Sequence, residues 1–379
     1  MGVVESTMQV SRRELLSLAA VSAGVLALPA GSVQAKPRKL KNGIDISWLP
    51  DLENAGGKFY TPAGKQIDPI LLMKQAGICV GRIRVWVNPT ADGATLTKAI
   101  KLAKRLKARG MEICIDFHFS DTWADPSHQA IPKSWSASSI EQLKLDVHTY
   151  VTDTLRQFVA ARVTPQWVQL GNEIANGFLW PLGKIDSEAS AQWNNFVGLW
   201  TAAVSALRAT APQAKAILHL DCGGDLNKSR WWLGQAKKYG LSDYDIIGLS
   251  YYSQWQGPLS NLQSVLTEIA RSTSKQVLIA ETAYPWTTRT FGADVIDINR
   301  AGLAGMPMTP AGQSAYITKL TDMLRSLPNN RGLGLWWWEG LSHQVRSVGG
   351  NLVWNGGMDN SLLVNSAGQT LPGLQTLGN

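Results

Sequence analysis

The sequence predicts a (β/α)8 barrel in a single domain. Eight short apolar runs recur along the chain, and helical patterns separate them. No GxGxxG turn follows any run, which disfavours the doubly wound open sheet. The stretch left after an N-terminal leader, residues 36–379, also has the length of a barrel with loop insertions.

The leader comes first. Ser11-Arg12-Arg13-Glu14-Leu15-Leu16 precedes a soft apolar run over 17–30, and Val33-Gln34-Ala35 offers small residues for cleavage. This pattern reads as a twin-arginine export signal over residues 1–35. A membrane anchor is the alternative, but the run is short and rich in Ala, Ser and Gly. The expectation is an exported protein, periplasmic or extracellular, with no membrane span.

The runs then follow in order. The first covers 43–49 and the second 79–87, where Arg82, Arg84 and Trp86 share a face by the two-residue period of a strand. An amphipathic helix over 96–109 closes at Gly110. The third run, 112–120, places Asp116 and His118 on one face, and a helix over 143–161 follows. The fourth, 166–173, ends on Asn172-Glu173. The fifth, 214–221, carries His219 and Asp221 on one face. The sixth covers 245–252, the seventh 276–282 and the eighth 333–339, with a helix over 311–326 between the last two. Polar groups facing into a barrel are costly to bury, so their recurrence at run after run points to a site at the carboxyl ends of the strands. Two longer polar segments, 123–135 and 286–310, are placed to flank it.

Two of these polar groups define a chemistry. Glu173 ends the fourth run and Glu281 the seventh, on opposite parts of a barrel wall. Hydrolysis of a glycosidic bond with retention uses an acid for the leaving oxygen and a second carboxylate as nucleophile, about 5–5.5 Å apart. Burial and mutual repulsion should raise the pKa of one, while hydrogen bonds and Arg84 should keep the other ionised. Asn172, beside Glu173, has an amide suited to a sugar 2-hydroxyl. The chain also holds sixteen tryptophans. Trp86, Trp123, Trp180, Trp255, Trp286 and Trp338 fall just after predicted strands, where indole faces could stack on sugar rings.

Other classes fit poorly. The formal charge of +8 is spread without a Lys/Arg block, so no nucleic-acid partner is expected. Cys79, Cys114 and Cys222 lack CxxC spacing and read as free thiols, with a Cys79–Cys114 bridge left open.

The motifs GIDISWLPDLENAGGKFYTPAGK, GRIRVWVNP, IDFHFSDTWADPSHQAIPKSW, VQLGNEIANGFLWPLGK, YDIIGLSYYSQWQGPL, AETAYPW, GLWWWEG and MDNSLLVNSAGQTLPGL run almost end to end of the mature chain. With them the sequence resembles glycoside hydrolase family 53, the endo-β-1,4-galactanases. The resemblance implies Glu173 as acid/base and Glu281 as nucleophile. It implies Arg84, His118, Asn172, His219, Tyr252 and Trp338 around the cleaved galactose, with Trp123 and Asp125 in the adjoining loop and Asp221 ending the His-Leu-Asp motif. Asp45 and Asp116 are equally readable as barrel hydrogen-bonders or substrate contacts, and Trp255, Trp286 and Trp354 as sugar platforms or loop core. The chain departs from the family pattern at Phe119, where a Tyr is usual, and at Met358 and Leu363-Val364-Asn365. Asp294, Asp297 and Asn299 fall where some relatives hold calcium, but without a calcium-loop pattern. No metal and no cofactor is expected, and the substrate should be a polysaccharide acted on by a monomer. A same-clan hydrolase of mannan, xylan or glucan, and a non-catalytic polysaccharide-binding barrel, are the competing readings.

Overall fold

In a computed structural model, the protein is described over residues 2, 39–90, 93–135, 139–291 and 294–379. The predicted leader lies outside these residues. Arg38–Asn379 forms one compact unit. Eight parallel strands close into a barrel: β1 Gly43–Asp45, β2 Val80–Val85, β3 Glu112–Phe117, β4 Trp167–Leu170, β5 Lys215–Leu220, β6 Ile246–Ser250, β7 Gln276–Glu281 and β8 Gly332–Trp337. Each strand pairs with its sequence neighbours, and β8 closes against β1 through Gly43 opposite Trp336.

The main outer helices are α1 Pro69–Ala76, α2 Leu96–Ala108, α3 Ile140–Ala160, α4 Ser190–Thr210, α5 Leu226–Lys238, α6 Leu259–Ser272, α7 Pro310–Arg325 and α8 Pro372–Gly378. Their starts follow local chemistry. Asp68, Thr95, Ser139, Asp225 and Thr309 each accept a backbone N–H of the first turn, and Pro at the opening of α1 and α7 gives up no hydrogen bond there. Gly77 ends α1 at φ +95, where a side chain would also strike the Gly378 carbonyl.

The runs expected from the sequence all became strands, but each regular strand is shorter at its carboxyl end. Residues past that end leave the ladder and form the rim. Phe119, Glu173 and Glu339 sit there with positive φ of 51, 51 and 46°. A non-glycine residue in this region costs about 1 kcal/mol or more.

Inside the barrel, side chains stack in layers. Val80, Cys114, Trp167, Ile217, Ile246, Leu278, Ala280 and Trp336 pack together as an apolar plug. Two residues further along β2, β3, β4 and β5 the inward positions turn polar, with Arg82, Asp116, Gln169 and His219 all buried. The plug closes the amino-terminal end, so the polar layer opens only toward the carboxyl ends. The three cysteines are free. Among the described residues no helix is long and apolar enough to cross a membrane.

Candidate active site

A cleft of about 1220 Å³ opens at the carboxyl ends of the strands, and Asp125, Glu173, Asp221, Tyr252, Glu281 and Trp338 all line it. Its walls include residues 125–128 and Val295 with Ile296, so both long segments flank the site as expected.

Glu281 reaches this cleft through an irregularity. Leu278 and Ala280 join the interior plug, whereas Val277 and Ile279 pack outward against the helices. Strict alternation would send Glu281 outward. The register between β6 and β7 shifts instead, with Leu249 opposite Ile279 but Ser250 opposite Glu281. This one-residue bulge turns the carboxylate inward.

Arg82 anchors it there. Its guanidinium lies 2.7 Å from Glu281 Oε1, 2.8 Å from Asp116 Oδ2 and 2.9 Å from Asp45 Oδ2, and it donates to Asn172 Oδ1 at 3.0 Å and Gln169 Oε1 at 3.2 Å. The sequence pointed to Arg84 for this task, and that expectation is corrected. Arg84 sits one layer higher, pairs with Glu339 at 2.9 Å, and does not touch Glu281. Its guanidinium lies under the Trp123 ring at 4.2 Å, with Trp338 at 5.1 Å and Trp48 at 5.4 Å. The parity that grouped Arg82 with Arg84 was legible. Which of the two reaches β7 depends on depth in the barrel.

Glu173 is held from the other side. Its N–H faces His219 Nδ1 at 3.3 Å, and its carboxyl bonds with the Ser250 hydroxyl. His219 Nδ1 faces the N–H groups of Glu173 and Gln169 and also Asn172 Oδ1 at 3.0 Å, while Nε2 lies 2.9 Å from Ser250 Oγ. His118 Nδ1 accepts from Ala124 N at 3.1 Å, so Nε2 donates to Asp116 at 3.0 Å.

The electrostatics separate the two carboxyls. Burial first, then the charge of Glu281, hold Glu173 well above its ordinary value. Burial raises Glu281 to about 7, with Arg82 opposing that rise. Glu281 therefore loses its proton before Glu173 does. Burial and the neighbouring arginines keep His118 and His219 neutral, with His219 well below its usual range.

The remaining expected residues divide by depth. Arg84, His118, Asn172 and His219 are not cleft-lining but form the buried layer beneath it. Asn172 spends one amide hydrogen on the Ala124 carbonyl at 2.8 Å. Asp45 and Asp116 are buried partners of Arg82, not exposed contacts. Asp221 faces the cleft and pairs with Lys228 at 3.0 Å, while Asp125 pairs with His128 at 2.8 Å. Trp123 is half-exposed beside Trp48, Trp86 and Trp338. Sequence reasoning passed over Gln169 and Ser250; the signal was their inward parity, Gln169 two residues past Trp167 and Ser250 four past Ile246. Phe119 packs on Phe117 and Phe178 in the core, so its missing hydroxyl is a matter of packing there. Met358 lines the cleft, and Leu363 and Val364 are core. Asp294 and Asp297 accept backbone N–H groups of Phe291, Asn360 and Asn299, and no cluster of metal-ligating side chains occurs among the described residues.

A closed barrel with two carboxyls at the ends of β4 and β7 and an aromatic-rimmed cleft has the architecture of a glycoside hydrolase. The profile of glycosyl hydrolase family 53 matches residues 41–377, and the chain belongs to that family. It is 35% identical over 302 residues to a Niallia circulans protein called the uncharacterized protein in bgaB 5'region, covering 78% of this chain and 82% of that one. It is 34% identical over 328 residues to the arabinogalactan endo-beta-1,4-galactanase of Cellvibrio japonicus, covering 84% and 85%. The solved family 53 catalytic domain of Ignisphaera aggregans superposes with a TM-score of 0.83 at 30% identity, over 91% of this chain and 97% of that one.

Proposed function

We propose that the protein is an exported endo-β-1,4-galactanase that cleaves the neutral galactan side chains of pectin by double displacement, with Glu173 and Glu281 as its catalytic carboxyls. The observation that carries this reading is their pairing in one cleft with unequal proton affinity. Glu281 attacks the anomeric carbon while Glu173 gives its proton to the leaving oxygen, and a covalent galactosyl-enzyme forms. Glu173 then takes a proton from water as that water displaces Glu281. Ser250 and His219 orient Glu173; Arg82 and Tyr252, whose hydroxyl donates to Glu281 at 3.3 Å, orient the nucleophile. The names of family relatives such as the Cellvibrio japonicus galactanase support the choice of sugar. The leader-like N-terminus supports export.

The test is incubation of the protein lacking residues 1–35 with galactan, arabinogalactan, mannan and xylan, with anomeric configuration followed by NMR. Retention with release of short β-1,4-galacto-oligosaccharides is expected, and Glu173→Ala or Glu281→Ala should abolish it with the fold intact. Cleavage of mannan or xylan instead would reassign the sugar. Binding without cleavage would leave a carbohydrate-binding barrel.

A further inference from the structure

A second concavity, of about 660 Å³, lies on the outside of the barrel between α5 and α6. On α5 it is lined by Arg230, Leu233, Gly234 and Lys237, the spacing of one helix face. Leu241, Tyr244 and Lys275, from the loops that lead into β6 and β7, close its lower end. Tyr244 precedes β6 and Tyr252 of the cleft follows it, so the length of that strand, about 16 Å, separates the two sites. The Arg230–Glu268 ion pair, at 2.7 Å, crosses from α5 to α6 at the groove's upper end.

Gly234 is the unexpected residue here. Glycine in a helix interior costs stability against nearly any other residue. Nothing packs close enough to require it, because an added Cβ would meet no atom within 4 Å. Its effect is to keep the groove floor bare.

The charges are also unbalanced. Arg230, Lys237 and Lys275 face one carboxylate, Glu268, and Arg230 already holds it. Asp243 and Asp245 of the adjoining loop pair with Arg208 and Lys215 instead. Lys237 is exposed and pairs with no carboxylate among the described residues. The Lys275 ammonium is fixed in place: it donates to the carbonyls of Ser242 and Tyr244 and lies 4.5 Å from the Tyr244 ring centre. Leu233 and Leu241 supply apolar surface between these cations, and the hydroxyls of Ser272 and Ser274 edge the other wall. A groove of ligand size with an apolar floor, hydroxyls and unmatched positive charge suits a ring that has an apolar face and a carboxylate.

We propose that this groove binds an acidic sugar, a uronate residue of a polysaccharide chain, with its carboxylate on Lys237 and Lys275 and its ring over Leu233 and Gly234. The inference goes beyond the galactanase reading. Joined to that reading, it keeps the polyuronate backbone of pectin on the flank of the barrel while neutral branches enter the cleft, which raises the local concentration of branches.

The test titrates oligogalacturonate into the wild type, Gly234→Glu and Lys237→Glu by calorimetry. Neither residue lines the cleft, and Gly234→Glu replaces a poor helix former with a good one. Thermal unfolding and galactan hydrolysis should therefore hold at or above the wild-type level in that variant. The wild type should bind, more weakly as salt rises. Each variant should lose roughly tenfold or more in affinity, the scale of one charge-assisted hydrogen bond. No binding by the wild type, or undiminished binding by either variant, would overturn the proposal. So would equally tight and equally sensitive binding of a DNA oligonucleotide of the same charge, which would mark a general polyanion surface. The titration needs no hydrolysis, so binding here by a protein that leaves galactan uncut would overturn the galactanase reading alone.

Discussion

Arg82 Nη2 lies 2.7 Å from Glu281 Oε1, and the same guanidinium also holds Asp45 and Asp116 with no side-chain exposure. One cation thus offsets three buried anions. Its position explains why Asp116 is drawn down to about 2 despite burial.

Arg82→Met should therefore be among the most damaging single changes. Removing one partner of a buried ion pair leaves uncompensated charge and costs about 3–5 kcal/mol. Urea unfolding should show that loss, and activity should vanish with it.

Arg84→Met should cost less. Its partner Glu339 is raised by burial to about 8, so that carboxyl can take up a proton when the guanidinium goes. The penalty should be smaller at pH 6 than at pH 9, which unfolding at the two pH values checks.

The rate should follow a bell-shaped pH profile. In the proposed double displacement the productive form has Glu281 ionised and Glu173 protonated. Activity rises as pH passes about 7, the value for Glu281, and falls once Glu173, raised by burial and by the charge of Glu281, gives up its proton. Measurement of kcat/KM against pH in Glu173→Gln should show the alkaline limb lost along with most of the rate. That variant should lose about 10²–10⁴-fold on galactan and much less on an aryl galactoside with an activated leaving group.

Stability should fall between pH 6.5 and about 8. Glu281, at about 7, and Glu339, at about 8, bind protons more tightly folded than unfolded, so their contribution is present at low pH and lost as pH rises through these values. Glu173 acts in the same sense. His118, His219 and His343 are depressed and oppose this trend only below about pH 6.5, where the unfolded chain starts to protonate them. Thermal unfolding across this window should give a falling Tm.

Much of this protein was written locally. Alternating apolar runs and helical stripes determined the barrel, because burial of one face per element is a local pattern. The rim position of Glu173 and Glu281 followed, since each closes such a run. The resemblance to family 53 rested on contiguous motifs, and the family profile matches the same stretch. The tertiary structure alone decided the rest. Parity along β7 would turn Glu281 toward the helices, and only the bulge against β6 aims it inward. Arg82 and Arg84 share a face, but the stagger of neighbouring strands decides that the deeper one meets Glu281 and the shallower one meets Glu339. Three tryptophans were equivalent as letters until packing left one of them, Trp255, exposed in the cleft. In each case the deciding contact joins residues far apart in the chain, and its geometry depends on how whole strands slide and close, which no local period encodes.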